Sequence, residues 1–202
     1  MRKKSHICLG RYLSDTAYTG ELRRHRKAFL LGSILPDCKP SFVTKRHEYD
    51  ATYEEFQRSV LALTENCNLL LRNERVYCRQ LGEVIHYLAD YFTYPHNTIY
   101  PGSLKDHCHY ENDLKHYLRE YINSGKAERE QGIRYQFYSA QELFGYIESC
   151  HREYMAGEHT VEHDAYWIVM VSSQVLSGIY QILHQREAAA RQSRQREAFW
   201  AA

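Results

Sequence analysis

Apolar residues recur at three- and four-residue spacing along most of the chain, and no stretch alternates long enough to predict a strand. Residues 5–18 put Ile7, Leu9, Tyr12 and Leu13 on or near one face and predict a first helix, which Gly20 ends. Residues 21–31 predict a second helix, with Arg23, Arg24, Arg26 and Lys27 on a basic, solvated side. Gly32, Pro36 and Pro40 then enforce a loop. Residues 52–71 predict a helix whose buried side carries Phe56, Val60, Leu63 and Leu70. After a break at Arg72 and Asn73, residues 76–91 predict another, with Val84, Ile85 and Leu88 toward the core. Residues 92–103 read as a loop, and residues 104–123 as a helix closed by Ser124 and Gly125. Residues 126–138 are polar and irregular. Ser139 with Glu142 three residues on is a capping-box pattern for a helix to about Ala156. A last helix starts near Thr160 and runs beyond Leu183, with Trp167, Ile168, Val171, Val175, Ile179 and Ile182 on its apolar side. The tail, about 185–202, has strong helix formers but little apolar face; it projects, frays or packs on a second chain. The expectation is an all-α protein, one multi-helix domain over residues 1–202, without internal repeats.

Composition narrows this only a little. The 202 residues suffice for one domain with a sizeable core. A net charge of +1 gives no overall pull toward nucleic acid or acidic lipid. The 18 tyrosines suit a helical core with polar linings, because each buries a ring and keeps a polar tip. There is no run of 18 apolar residues, so no transmembrane segment is expected. The basic start MRKKSHICLGRYLSD lacks a signal-type apolar stretch, which makes a cytoplasmic location the expectation. Cys8, Cys38, Cys67, Cys78, Cys108 and Cys150 form no C-x-x-C pair and are expected as free, mostly buried thiols.

Residues 82–114 carry the candidate chemistry. His86 and Asp90 are four apart, as are His107 and Glu111, and His96 lies between the pairs. On a helix, i and i+4 face the same way. Each pair therefore offers an imidazole and a carboxylate to one point, a donor set that suits zinc. A lone pair of this kind is ordinarily a surface ion pair; two pairs in helical phase with a histidine between them favour a metal. Cys108 points about 100° away from His107 on a helix and is not the preferred ligand. His109 and His116 lie off the ligand face, and Asp113 is a candidate for orienting a ligand imidazole. Elsewhere, His6 opens the first helix, and Asp37 follows Pro36, where a turn or N-cap residue is usual. His47 stands in the same loop, with Glu48 and Asp50 as rivals. His159 and His163 share the four-residue spacing but have no third ligand near in sequence, and read as a solvated helix start.

His86-Tyr87-Leu88-Ala89-Asp90, then Pro95-His96, then His107-Cys108-His109-Tyr110-Glu111-Asn112 resembles the bacterial zinc-dependent phospholipase C family. The S1/P1-type single-strand nucleases share that fold, but their second pair usually ends in Asp, so Glu111 favours the phospholipase branch. The resemblance covers the ligand skeleton from His6 to Glu111, about half the chain. It implies two or three zinc ions. Asp37, His47, His86 and Asp90 would hold the first and His96, His107 and Glu111 the second. His6 would hold the third and share Asp90. It also implies that Asp37 orients or deprotonates the attacking water. In the family's secreted members a mature N-terminal amine, usually on Trp, helps to bind the third zinc. Here five residues precede His6 and the first is Met, so a third site that is weaker, completed by another ligand, or empty is expected. The pocket loops of the secreted enzymes have no match. Tyr49, Tyr53, Tyr91, Tyr94 and Tyr100 are candidates to line a pocket, where rings of this kind hold a choline-type cation.

The expected function is a zinc-dependent phosphodiester hydrolase acting on a phospholipid or related phosphoester. One alternative is a single-strand nuclease on the same fold, which the charge does not favour; no stable nucleic-acid complex is expected. The other is a non-catalytic zinc-binding helical protein that meets partners through its C-terminal helix. The oligomeric state is left open.

Overall fold

The computed structural model describes residues 1–17, 19–38 and 48–200. The helices among them are α1 (Lys3–Thr16), α2 (Gly20–Arg24), α3 (Arg26–Gly32), α4 (Tyr49–Leu63), α5 (Glu74–Tyr91), α6 (Leu104–Asn123), α7 (Lys126–Arg129), α8 (Ala140–Ala156) and α9 (Val161–Trp200). Short 3-10 turns lie at Pro36–Cys38 and Tyr94–His96. No strand occurs among the described residues, and the class is all-α, as the spacing of apolar residues predicts.

The central element is α5, which α3, α4 and α9 all pack against. Its apolar residues Leu81, Ile85 and Leu88 are buried, but so are His86 and Asp90 on the opposite side. A helix buried on two opposite sides needs partners for its polar face as well as its apolar one. The closest partner is α3, which crosses α5 at two glycines. A Cβ added to Gly82 would lie 2.8 Å from Ser33 N and 3.0 Å from Gly32 C. The missing side chains let the two backbones touch and bring Ser33 against His86.

Several boundaries differ from the sequence-based expectation. Helix α1 starts two residues earlier, at Lys3. The expected helix over 21–31 is two helices broken at His25, whose ring and the neighbouring Arg24 both turn to Glu74 at the start of α5, each at 3.1 Å. The expected helix over 52–71 stops at Leu63. Arg186 of α9 donates to the carbonyls of Thr64 and Cys67 (the latter at 3.1 Å), which gives the emerging chain a partner outside its own helix. Leu70 is therefore not on a buried side; it is 78% exposed in the turn that follows. The start of α8 keeps half of the predicted capping box. The Ser139 hydroxyl accepts the Glu142 N–H, but the Glu142 carboxylate takes the N–H of Tyr138 rather than that of Ser139. Within the segment expected to be irregular, residues 126–129 form α7 after Gly125, whose φ of 70° reverses the chain.

With its 40 residues α9 extends roughly 60 Å. By length and composition Val161–Glu197 would pass for a membrane span, but most of its apolar window is buried against the other helices. Beyond Glu187 the helix is largely exposed. The six cysteines are free; Cys67, Cys78 and Cys150 are buried, whereas Cys38 and Cys108 are exposed.

Candidate metal centre

Asp90 is the hub of the site. One oxygen lies 3.3 Å from His6 Nε2, and the other lies 3.3 Å from His86 Nε2 and 3.9 Å from His96 Nδ1. The rings of His6 and His86 are stacked, with centroids 3.9 Å apart. On the far side of Asp90, Glu111 Oε1 is 3.1 Å from both His96 Nε2 and His107 Nε2. Two donor groups result: His6, His86 and Asp90, fully buried, and His96, His107 and Glu111, more open. In each group the donor atoms lie within 4.8 Å of one another. Asp37, on the Pro36–Cys38 turn, brings an oxygen 3.6 Å from His86 Nε2.

Three helices and two 3-10 turns supply these side chains. Helix α5 carries His86 and Asp90 one turn apart, and α6 carries His107 and Glu111 in the same relation. The Tyr94–His96 turn presents His96, and α1 lays His6 over His86. His6, expected to hold a third ion and share Asp90, lies 3.3 Å from Asp90 and groups with it and His86. His47 lies outside the described residues. Glu48 stands at the N-cap position of α4 and Asp50 is exposed on it.

The electrostatics fit a cation. Burial alone would raise the Asp90 carboxyl, yet His96, the Met1 amine, His86 and His6 hold it well below the usual range. Glu111 is likewise held low by the Met1 amine, His107 and His96, against burial. Burial, reinforced by His86, lowers His6 to about 3, so its ring is neutral and has a lone pair to give. Its Nε2 is buried and makes no hydrogen bond of proper geometry. A neutral imidazole whose Nε2 faces a carboxylate at 3.3 Å among other imidazoles is the donor chemistry zinc takes.

Contacts around the candidate ligands fix their orientation. His86 Nδ1 donates to the Ser33 carbonyl at 2.9 Å if its Nε2 is the nitrogen left facing the site; a backbone acceptor of this kind commonly sets a ligand's tautomer. Nothing near either residue in sequence announces that pairing. Asp113, the candidate for this orienting role, is exposed on α6, as are His109 and His116. The His96 turn is braced by Asn97, which donates to the carbonyls of Tyr91 and Thr93 and is 3.0 Å from His151 Nε2.

The backbone nitrogen of Met1 also lies in the site, 2.6 Å from Asp90 Oδ1, 2.9 Å from His96 Nε2 and 3.1 Å from Glu111 Oε1. Burial lowers its pKa, but Asp90, Glu111 and Asp37 together raise it to about 10. Arg2 holds this end of α1 against α6, donating to the Cys108 carbonyl at 2.7 Å and to Asn112 Oδ1 at 3.3 Å. The family resemblance points to an N-terminal amine at this place, whereas the five residues before His6, opening on Met, predict a third site that is weaker, completed by another ligand, or empty. Met1 precedes α1, whose first residue is Lys3, so helical spacing does not place it; the Arg2 contacts to α6 bring it to the site.

Other expectations change. His159 and His163 are not a solvated helix start: His159 stacks on Tyr94 at 4.3 Å, and His163 Nε2 accepts the Trp167 indole N–H at 2.8 Å. Tyr91 belongs to the core and hydrogen-bonds Thr52, and Tyr49 is stacked on Tyr53 and His151. Tyr100 does stand beside the site, edge-on to His107 at 6.1 Å.

Residues 5–161 match the sequence profile of the family described as zinc dependent phospholipase C. No curated protein and no solved structure matches the chain significantly.

Proposed function

Because the chain belongs to the zinc-dependent phospholipase C family, we propose that it hydrolyses a phosphodiester, with a phospholipid or a related phosphoester as substrate. The observation that carries this reading is the pair of adjacent His-His-carboxylate groups, with Asp90 reaching toward both. His6, His86 and Asp90, with Asp37 beside them, would hold one zinc, and His96, His107 and Glu111 a second. Bound there, zinc ions would neutralise charge on the phosphoryl oxygens and acidify a water near neutral pH.

The chain's own residues have the following parts. Asp37 stands at the edge of the buried group, next to His86 and off the α5 helix, where a carboxylate can take the proton of the attacking water. His107 and Glu111 are the more exposed candidate ligands, and on this reading the substrate approaches from their side. Tyr100, beside His107, offers a ring to an apolar or cationic part of it. Ser33 keeps the His86 ring from turning.

The test is metal content of the purified chain, then cleavage of a chromogenic phosphocholine ester with and without chelator. Two or three zinc ions and chelator-sensitive cleavage are expected. A zinc-loaded chain that cleaves neither this ester nor a panel of phospholipids and oligonucleotides would refute the hydrolase reading.

A further inference from the structure

Asp164, in the first turn of α9, is fully buried and far in sequence from the candidate zinc ligands. It accepts three hydrogen bonds from three different elements. One oxygen takes the Tyr94 backbone N–H at 2.9 Å and the Tyr110 hydroxyl at 2.9 Å. The other takes the Tyr154 hydroxyl of α8 at 2.8 Å. Two of these donors adjoin candidate zinc ligands. Tyr94 begins the turn that ends in His96, and Tyr110 precedes Glu111 on α6. Successive helical residues point about 100° apart, so Tyr110 can reach back to α9 while Glu111 faces His96 and His107. Helices α8 and α9 carry none of the candidate ligands, and Asp164 is one of the places where they grip the segments that do.

We propose that Asp164 is a positioning residue for the His96, His107 and Glu111 group, fixing the His96 turn and the Glu111 helix to one point through Tyr94 and Tyr110. The proposal rests on that group holding zinc. His96 and Glu111 meet at 3.1 Å from segments joined by a loop. A single oxygen that binds both segments from behind sets their separation without a local sequence contact between them. Tyr154 shares the same carboxylate but leads to no ligand, which supplies an internal control.

Tyr110→Phe and Tyr154→Phe each remove one hydroxyl from the same buried carboxylate. A purely structural network would make them equivalent. We expect zinc affinity, measured by competition with a chromophoric chelator, to fall roughly tenfold or more in Tyr110→Phe, the usual cost of losing a group that orients a ligand. In Tyr154→Phe it should stay within about twofold, well short of that cost. Thermal unfolding of the two metal-stripped variants should shift by similar amounts. Asp164→Asn should keep near-normal affinity: its carbonyl oxygen can serve Tyr94 and Tyr110 while its amide donates to the Tyr154 oxygen. Burial pushes the Asp164 carboxyl up to about 7 even against its three donors, so a neutral group suits this place. Asp164→Ala should lose affinity as Tyr110→Phe does. Equal affinities in Tyr110→Phe and Tyr154→Phe, with zinc bound by the unaltered chain, would overturn the proposal alone. An unaltered chain that binds no zinc would overturn the metal reading and this proposal with it.

Discussion

Gly82→Ala tests whether the crossing of α3 and α5 builds the site. In an isolated helix this change is favourable by about 1 kcal/mol, because alanine loses less backbone entropy. Here the new Cβ would lie 2.8 Å from Ser33 N and 3.0 Å from Gly32 C, and nearer still to the Phe29 carbonyl. All three are backbone atoms, so no side chain can swing away. Ordinary contact begins near 3.4 Å, and the helices must part by roughly an ångström. Overpacking of this sort costs about 1–3 kcal/mol, and more where the backbone itself must move. The clash therefore outweighs the propensity gain. At about 2–4 °C per kcal/mol for a chain of this size, the midpoint of thermal unfolding should fall by several degrees. The same ångström would stretch the 2.9 Å contact between His86 Nδ1 and the Ser33 carbonyl beyond hydrogen-bonding length. Zinc affinity should then drop about tenfold, as for other losses of an orienting partner. Gly145→Ala is the matched control: in α8, with nothing within 4 Å of its added Cβ, it should gain up to about 1 kcal/mol. Calorimetry and zinc competition on both variants decide the matter. A Gly82→Ala protein as stable as Gly145→Ala, with unchanged zinc affinity, would refute the argument.

His86→Ala should remove zinc from the buried group, and Glu111→Ala should remove it from the open one; elemental analysis should show each variant holding fewer ions than the parent, and unchanged content in both would contradict the assignment. His151, lowered to about 4 by burial, is neutral in the fold but protonates on unfolding once the pH is below about 6.5. Its folded pKa is depressed, so its contribution is complete above that pH and is lost as the pH falls toward 4. Denaturant titrations of metal-stripped protein should give His151→Asn a pH slope shallower by about 1.4 kcal/mol per unit in that window, and parallel slopes would show that the ring titrates normally. Truncation after Glu187 keeps Arg186 on Thr64 and Cys67 and Glu187 on Arg72; unfolding temperature and zinc content should match the full chain, and a large loss of either would show that the exposed end of α9 is structural.

The helical class and the two His–carboxylate pairs were legible in the sequence because both rest on local periodicity. The 3.6-residue repeat marks which faces are apolar, and the i, i+4 spacing carries His86 with Asp90 and His107 with Glu111 onto one side of a helix. Position alone did not reveal where helices stop. The end of α4 depends on Arg186, more than a hundred residues away, and the break at His25 on Glu74. The same holds for what completes the site. Met1, Ser33 and Asp164 reach it through the way α1, α3 and α9 lie against α5 and α6. Local sequence determines which residues can share a helix face, because neighbouring backbone atoms set that geometry. The orientation of the ligands, and which carboxylate or carbonyl steadies them, was decided only by packing between helices, where a pair of facing glycines or one buried oxygen joins segments that sequence distance keeps apart.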